Sequence, residues 1–143
     1  MFENTYIQQR IEKAEKLREV GINPYSNECS RNSTIAKFLN VNSDIAHTEE
    51  KRDESRSYTV AGRIKLFRLM GKASFLKIED ESGMLQVYLS RDHLPEGFYN
   101  DIFKKNIEVG DIVEVTGFPF VTGQGELSLH AHDLKILTKA ISP

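Results

Sequence analysis

The sequence predicts a mainly β domain, a five-stranded Greek-key barrel preceded by an N-terminal helical extension. Three observations lead there. Five runs from Tyr58 onward alternate apolar and polar residues with the period of two that a half-buried strand requires. Turn signals separate strands at Met70-Gly71, Glu79 to Gly83 and Thr122 to Gly125. A helically spaced run falls between the third strand and the fourth.

At the start of the chain, residues 3 to 20 place Ile7, Ile11, Ala14 and Leu17 on one stripe, which predicts an amphipathic helix ended by Gly21 and Pro24. Such a stripe packs on its own domain or on a partner subunit. Ser33 is placed to cap a shorter helix with Ile35, Phe38 and Leu39 as its apolar side. Residues 42 to 57 are almost wholly polar with mixed charge, and read as a solvated connector. Residues 1–57 are therefore expected to form the extension, and residues 58–143 the barrel and the start of a linker.

The first strand runs from Tyr58 to Phe67 with Tyr58, Val60, Ile64 and Leu66 on its inner face. Gly62 interrupts it, and a glycine inside a strand marks a bulge or bend that lets one strand serve two sheets. In the second strand Leu76 and Ile78 turn inward, leaving Ala73, Phe75 and Lys77 outward. In the third, Leu85, Val87 and Leu89 turn inward and Gln86 and Tyr88 outward. Leu94 to Lys105 carries Phe98, Ile102 and Phe103 at helical spacing, with Pro95 suited to the first turn. Gly110-Asp111 opens a fourth strand that runs through Val113 and Val115 to Phe118. Glu126 to His132 forms the fifth, with Leu127, Leu129 and Ala131 inward, and Leu134 to Ala140 reads as a tail leading out of the domain. Three strands, a helix and two strands is the order of the OB-fold barrel, whose second and third strands form an oligonucleotide-binding face.

On that face a stacking ring, an amide and an ammonium group share one surface, the combination that stacks on and reads an unpaired base. From Tyr58 to Ile78 stand five basic residues, Arg63, Lys65, Arg68, Lys72 and Lys77, and no acidic one, although the whole chain carries a formal charge of -2. Positive charge focused in one stretch suits a short polyanion. The same residues also fit an ordinary solvated wall, with Phe75 covered by another part of the fold.

The near-neutral total argues against a histone-like protein, and no apolar run approaches the ~20 residues of a membrane span. With 143 residues, 39% hydrophobic and 28% charged, there is room for one domain with a modest core. The opening Met-Phe-Glu-Asn-Thr-Tyr lacks the regions of a secretory signal, and the lone Cys29 can form no internal disulfide, so a cytoplasmic location is expected. His130 and His132 at i, i+2 share a strand face and are the one arrangement that invites a metal, but further ligands are not evident. No serine-nucleophile motif, Cys/His pair or pair of catalytic carboxylates stands out, so no catalytic residue, metal or cofactor is expected in these residues.

Several segments carry a family resemblance. Arg68-Leu-Met-Gly-Lys-Ala-Ser-Phe75 is similar to the N-terminal anticodon-binding domain of bacterial class II lysyl-tRNA synthetases. So, in order, are Leu17-Arg-Glu-Val-Gly-Ile-Asn-Pro-Tyr25, Val60-Ala-Gly-Arg63, Arg91-Asp92 with Leu94, Phe103-Lys-Lys105, Gly110-Asp-Ile-Val113, Gly125-Glu-Leu-Ser128 and Leu137-Thr-Lys-Ala140. The resemblance implies that the barrel binds the anticodon loop of lysine tRNA. Phe75 would stack on the middle anticodon uridine, Gln86 would hydrogen-bond its Watson-Crick edge, and Glu126 would contact a base from the far edge of the site. Arg63 would stack on a base or hold phosphate, with Arg68, Lys72 and Lys77 in phosphate or loop contacts. One departure is the turn Thr122-Gly123-Gln124, where the family usually carries a lysine. The family's parent enzyme is a homodimer that uses ATP and Mg2+, and its catalytic domain would begin after Pro143. A general single-stranded nucleic-acid-binding OB module is the alternative.

Overall fold

A computed structural model describes residues 31–95, 97, 99 and 107–140. The expected N-terminal helix lies outside the described residues, as do Phe98, Ile102 and Phe103 of the helical run between the third and fourth strands. Five strands, β1 (Tyr58–Met70), β2 (Ala73–Asp80), β3 (Gly83–Ser90), β4 (Ile112–Val121) and β5 (Leu127–Thr138), close into a barrel in the order β1-β2-β3-β5-β4. β3 and β5 pair in parallel and every other pair is antiparallel. Closure leaves no open sheet edge among the described strands. The inward residues expected of β2 and β3 meet in the barrel core, where Leu76, Ile78, Val87 and Leu89 are fully buried. Removing each from water contributes about 1.5–3 kcal/mol.

β1 serves two partners, as Gly62 suggests. It pairs with β4 over Tyr58 to Arg63 and with β2 from Arg63 to Met70. Gly62 sits where a Cβ would come 2.8 Å from the Glu79 carbonyl oxygen, so only glycine admits this approach. The bulge itself lies three residues on. The register jumps between Ile64 and Leu66, leaving Lys65 as the extra residue, and the alternation reverses there. Leu66 therefore does not join the inner face; it is 45% exposed on the outer wall, while Phe67 packs against the core.

The chain before the barrel is built into it. Helix α1 (Ile35–Val41) is capped by Thr34, whose hydroxyl accepts from Lys37 N, and not by Ser33. Ser33 instead donates its hydroxyl to the Thr34 carbonyl. The next two N–H groups are satisfied by the β2–β3 turn, Ile35 N donating to Asp80 Oδ2 at 3.0 Å and Ala36 N to Ser82 Oγ at 2.9 Å. Ile35 and Phe38 thereby enter the barrel core.

The polar stretch after α1 is more ordered than its composition suggests. A 3-10 turn (Ser43–His47) buries Ile45, and Arg56 bonds Asn42 and both Asp44 oxygens and pairs with Asp53. The Arg56 hydrogen bond holds the Asp44 carboxyl below its ordinary range.

The expected tail is a strand. Residues 134–138 extend β5 beside β4, with Leu134, Ile136 and Leu137 buried. Lys139 follows, buried against Asp111 at 2.6 Å.

Candidate nucleic-acid interface

Three rows of outward residues cross the wall of β1, β2 and β3. Leu66, Lys77 and Gln86 form one row, Arg68, Phe75 and Tyr88 the next, and Arg63, Glu79 and Met84 a third on the far side of Lys77. Leu66, Lys77 and Gln86 of the first row and Arg68 and Phe75 of the second line a groove of about 520 Å³ with Met70 and the β4–β5 turn Thr122-Gly123-Gln124. The groove brings together Arg68, Phe75, Lys77 and Gln86. Phe75 is half-buried, its ring 5.2 Å from Tyr88, and it remains accessible instead of being covered by another part of the fold.

Three polar contacts set the chemistry of this groove. Gln86 Nε2 donates to Ser128 Oγ at 3.3 Å, and Ser128 donates in turn to the Glu126 carbonyl at 3.2 Å. This anchors the amide and leaves Gln86 Oε1 and its second N–H for a ligand, one acceptor beside one donor. Lys77 Nζ lies 3.6 Å from Glu126 Oε2, so Glu126 stands at the rim, tied to a groove-lining cation.

The remaining candidates lie apart. Arg63 faces a separate groove with Arg31, Lys65 and Glu79, and donates to the Gly110 carbonyl at 3.0 Å. Lys65 pairs there with Glu79 at 3.6 Å. Lys72 is exposed in the β1–β2 turn, its carbonyl held by Arg91 N at 2.8 Å. The focused positive charge of the sequence is thus divided: Lys65 and Lys77 face carboxylates, whereas Arg68 and Lys72 make no ion pair with the described residues.

His130 and His132 do not share a face. The register of β5 jumps so that Thr116 pairs with Asp133 and Gly117 with Ala131, making His132 the extra residue. His132 is exposed, while His130 is buried among Phe118, Phe120, Tyr88 and His93. Burial, with the nearby His93 and Arg52 charges, lowers the His130 pKa to about 4. Among the described residues no group of three or more His, Cys, Asp or Glu is placed to hold a metal, and no helix is long and apolar enough to cross a membrane.

A groove between strands two and three and the β4–β5 turn is where OB barrels take oligonucleotides. The OB-fold nucleic acid binding domain family matches residues 58–137, more than half of the chain. The chain belongs to this family. Around this OB domain the likeness extends over the whole sequence. It is 81% identical over 143 residues to a lysine–tRNA ligase of Aliarcobacter butzleri, covering 100% of this chain and 28% of that protein. The lysine–tRNA ligase of Wolinella succinogenes is 58% identical over 144 residues, and that of one Helicobacter pylori strain 52% over 143, again over 28% of each. The chain thus spans little more than a quarter of the length of these relatives.

Sequence reasoning missed three contributors to the OB groove. Leu66 and Met70 offer apolar surface, 45% and 47% exposed, and Ser128 orients Gln86. No glycine marks the Lys65 bulge that turns Leu66 outward, so no local signal identified it. Ser128 is found only through the parallel pairing that sets it opposite Gln86.

Proposed function

We propose that this OB domain recognises the anticodon loop of lysine tRNA as part of a cytoplasmic lysine–tRNA ligase. The observation that carries the reading is the groove that joins an accessible aromatic ring, Phe75, to an anchored amide, Gln86, in a chain 81% identical to a lysine–tRNA ligase. Phe75 stacks on the middle base. Gln86 offers Oε1 to a uracil N3–H and its second N–H to a uracil carbonyl. Arg68 and Lys77 attract phosphate, and Glu126 accepts from a neighbouring base once Lys77 moves to the backbone. Arg63 and Lys72 act from outside the groove, on phosphate. Residues 1–57 serve as the extension of the module and residues 58–143 as the module itself. The ligase reaction, with its ATP and Mg2+, belongs to other parts of a homodimeric parent enzyme.

The reading divides affinity from discrimination. Stacking one base on an aromatic ring contributes ~1–3 kcal/mol and tolerates any base, whereas an amide that pairs with one edge selects. A fluorescent anticodon stem-loop with a central uridine is titrated at fixed salt, beside one with a central cytidine. Phe75→Ala is expected to weaken both about fivefold or more. Gln86→Ala is expected to narrow the gap between them. Equal wild-type affinity for the two loops would leave a general single-strand-binding OB module.

A further inference from the structure

The amide of Gln86 has two orientations that exchange the places of Oε1 and Nε2, and its neighbours in the barrel fix one of them. Pairing sets Gln86 opposite Lys77 on β2 and opposite Ser128 on β5. Ser128 is fully buried, and a serine hydroxyl has one proton to give. That proton goes to the Glu126 carbonyl at 3.2 Å, because a carbonyl oxygen only accepts. Ser128 Oγ is left as an acceptor, and Gln86 meets it with Nε2 at 3.3 Å. The carbonyl is itself held in place. It also accepts from Thr122 N at 3.0 Å, while Glu126 N donates to Thr122 Oγ1 at 3.1 Å, so the β4–β5 turn that lines the groove anchors the end of this relay. On the other side of Gln86, the Lys77 ammonium can only donate, which favours the amide oxygen towards it.

We propose, on the reading of the groove given above, that Ser128 is the positioning residue that makes Gln86 select a central uridine over a cytidine. Uracil offers a donor at N3 and an acceptor at O4, whereas cytosine offers an acceptor at N3 and a donor at N4. The two bases thus differ by an exchange of donor and acceptor at neighbouring positions, and so do the two orientations of a carboxamide. With Oε1 towards N3 and the free N–H towards the group on C4, Gln86 fits uracil and sets like against like on cytosine. Turned over, the same amide fits cytosine. Turning it brings Oε1 against Ser128 Oγ, two acceptors, unless the hydroxyl leaves the Glu126 carbonyl, and either way a buried hydrogen bond is lost. Stacking on Phe75 tolerates any base, so the serine carries a choice that the ring cannot make.

The test titrates the 143-residue chain with fluorescent anticodon stem-loops carrying a central uridine or a central cytidine, at fixed salt, and reads the ratio of the two affinities. Ser128→Ala removes the acceptor and frees the amide to turn. The ratio is therefore expected to fall about threefold or more, with the cytidine loop bound more tightly than by wild type. Ser128→Thr keeps the hydroxyl and is expected to keep the ratio. Ser128→Cys has nearly the same shape but accepts weakly, and is expected to behave as the alanine variant, which gives a second reading should alanine unfold the barrel. A serine that only supports the fold would, when changed, weaken both loops alike. If Gln86→Ala removes the preference for uridine while Ser128→Ala and Ser128→Cys keep the wild-type ratio, the positioning role is overturned. If Gln86→Ala leaves the ratio unchanged, the reading of the groove itself fails.

Discussion

His130 pairs a buried imidazole with a cost. Its ring stacks on Phe118 at 4.7 Å, and its Nδ1 has no hydrogen-bond partner among the described residues. Adding a proton there would bury a charge, which is why the pKa falls to about 4 from 6.5. Between these values the unfolded chain binds more protons than the folded one, so stability rises with pH across that window. It is fully present above 6.5 and is lost as pH falls towards 4. Urea unfolding followed from pH 7.5 to 4.5 is expected to show a loss of about 2–3 kcal/mol, and His130→Phe to remove most of the slope. Gln86 illustrates the other side of the residue scale. Its type and outward direction follow from alternation in β3, but the side of its amide left for a ligand depends on Ser128, 42 positions away in sequence.

Helix α1 depends at the element scale on a turn it does not adjoin. Seven residues are too few for a stable isolated helix, so its N-terminus relies on Asp80 and Ser82 and its apolar side on the barrel. Asp80 also accepts from Ser82 N, Ser82 Oγ and Gly83 N. Burial works against its charge, but these bonds and the one from Ile35 outweigh it and hold the carboxyl below its ordinary range. Asp80→Ala is expected to cost about 1–3 kcal/mol in denaturant unfolding and to raise hydrogen exchange in α1. Because the folded pKa is depressed, the stabilisation is present above the ordinary carboxyl value of 3.8 and is lost as pH falls through the lower folded value. The mutant is expected to lack that acid-dependent loss.

At the scale of the whole molecule, the barrel seam is fastened at one end by a buried ion pair. Asp111, ahead of β4, accepts from Lys139 Nζ, Ala140 N and Glu108 N, tying the end of β5 to the β3–β4 connection. Both side chains of the Lys139–Asp111 pair are fully buried. Removing the lysine strips the buried Asp111 carboxylate of its ammonium partner, so Lys139→Ala is expected to cost about 3–5 kcal/mol by thermal or chemical unfolding. That is a large share of the ~5–15 kcal/mol that holds a domain together. The double change Lys139→Met, Asp111→Asn is expected to recover part of it, since both charges of the pair are removed together.

Tyr99 acts at the same scale: it accepts from Ser74 at 2.7 Å and donates to the Gly71 carbonyl at 3.0 Å. It thereby holds the β1–β2 turn beside the groove from within.

The sequence by itself determined the five strands, the inward sets of β2 and β3, the dual service of β1 at Gly62 and the outward Phe75, Lys77 and Gln86. These follow from period-two alternation and from turn residues, which are local properties. Only the tertiary structure decided where registers slip. The extra residue Lys65 turns Leu66 out and His132 separates from His130, because a bulge is set by pairing with another strand and no nearby residue need signal it. The extension of β5 through Leu137, and the separation of Arg63 from the groove that receives Arg68, were likewise hidden. Barrel closure sets them: it adds the partner strand that residues 134–138 pair with, and rotates Arg63 one row beyond Lys77.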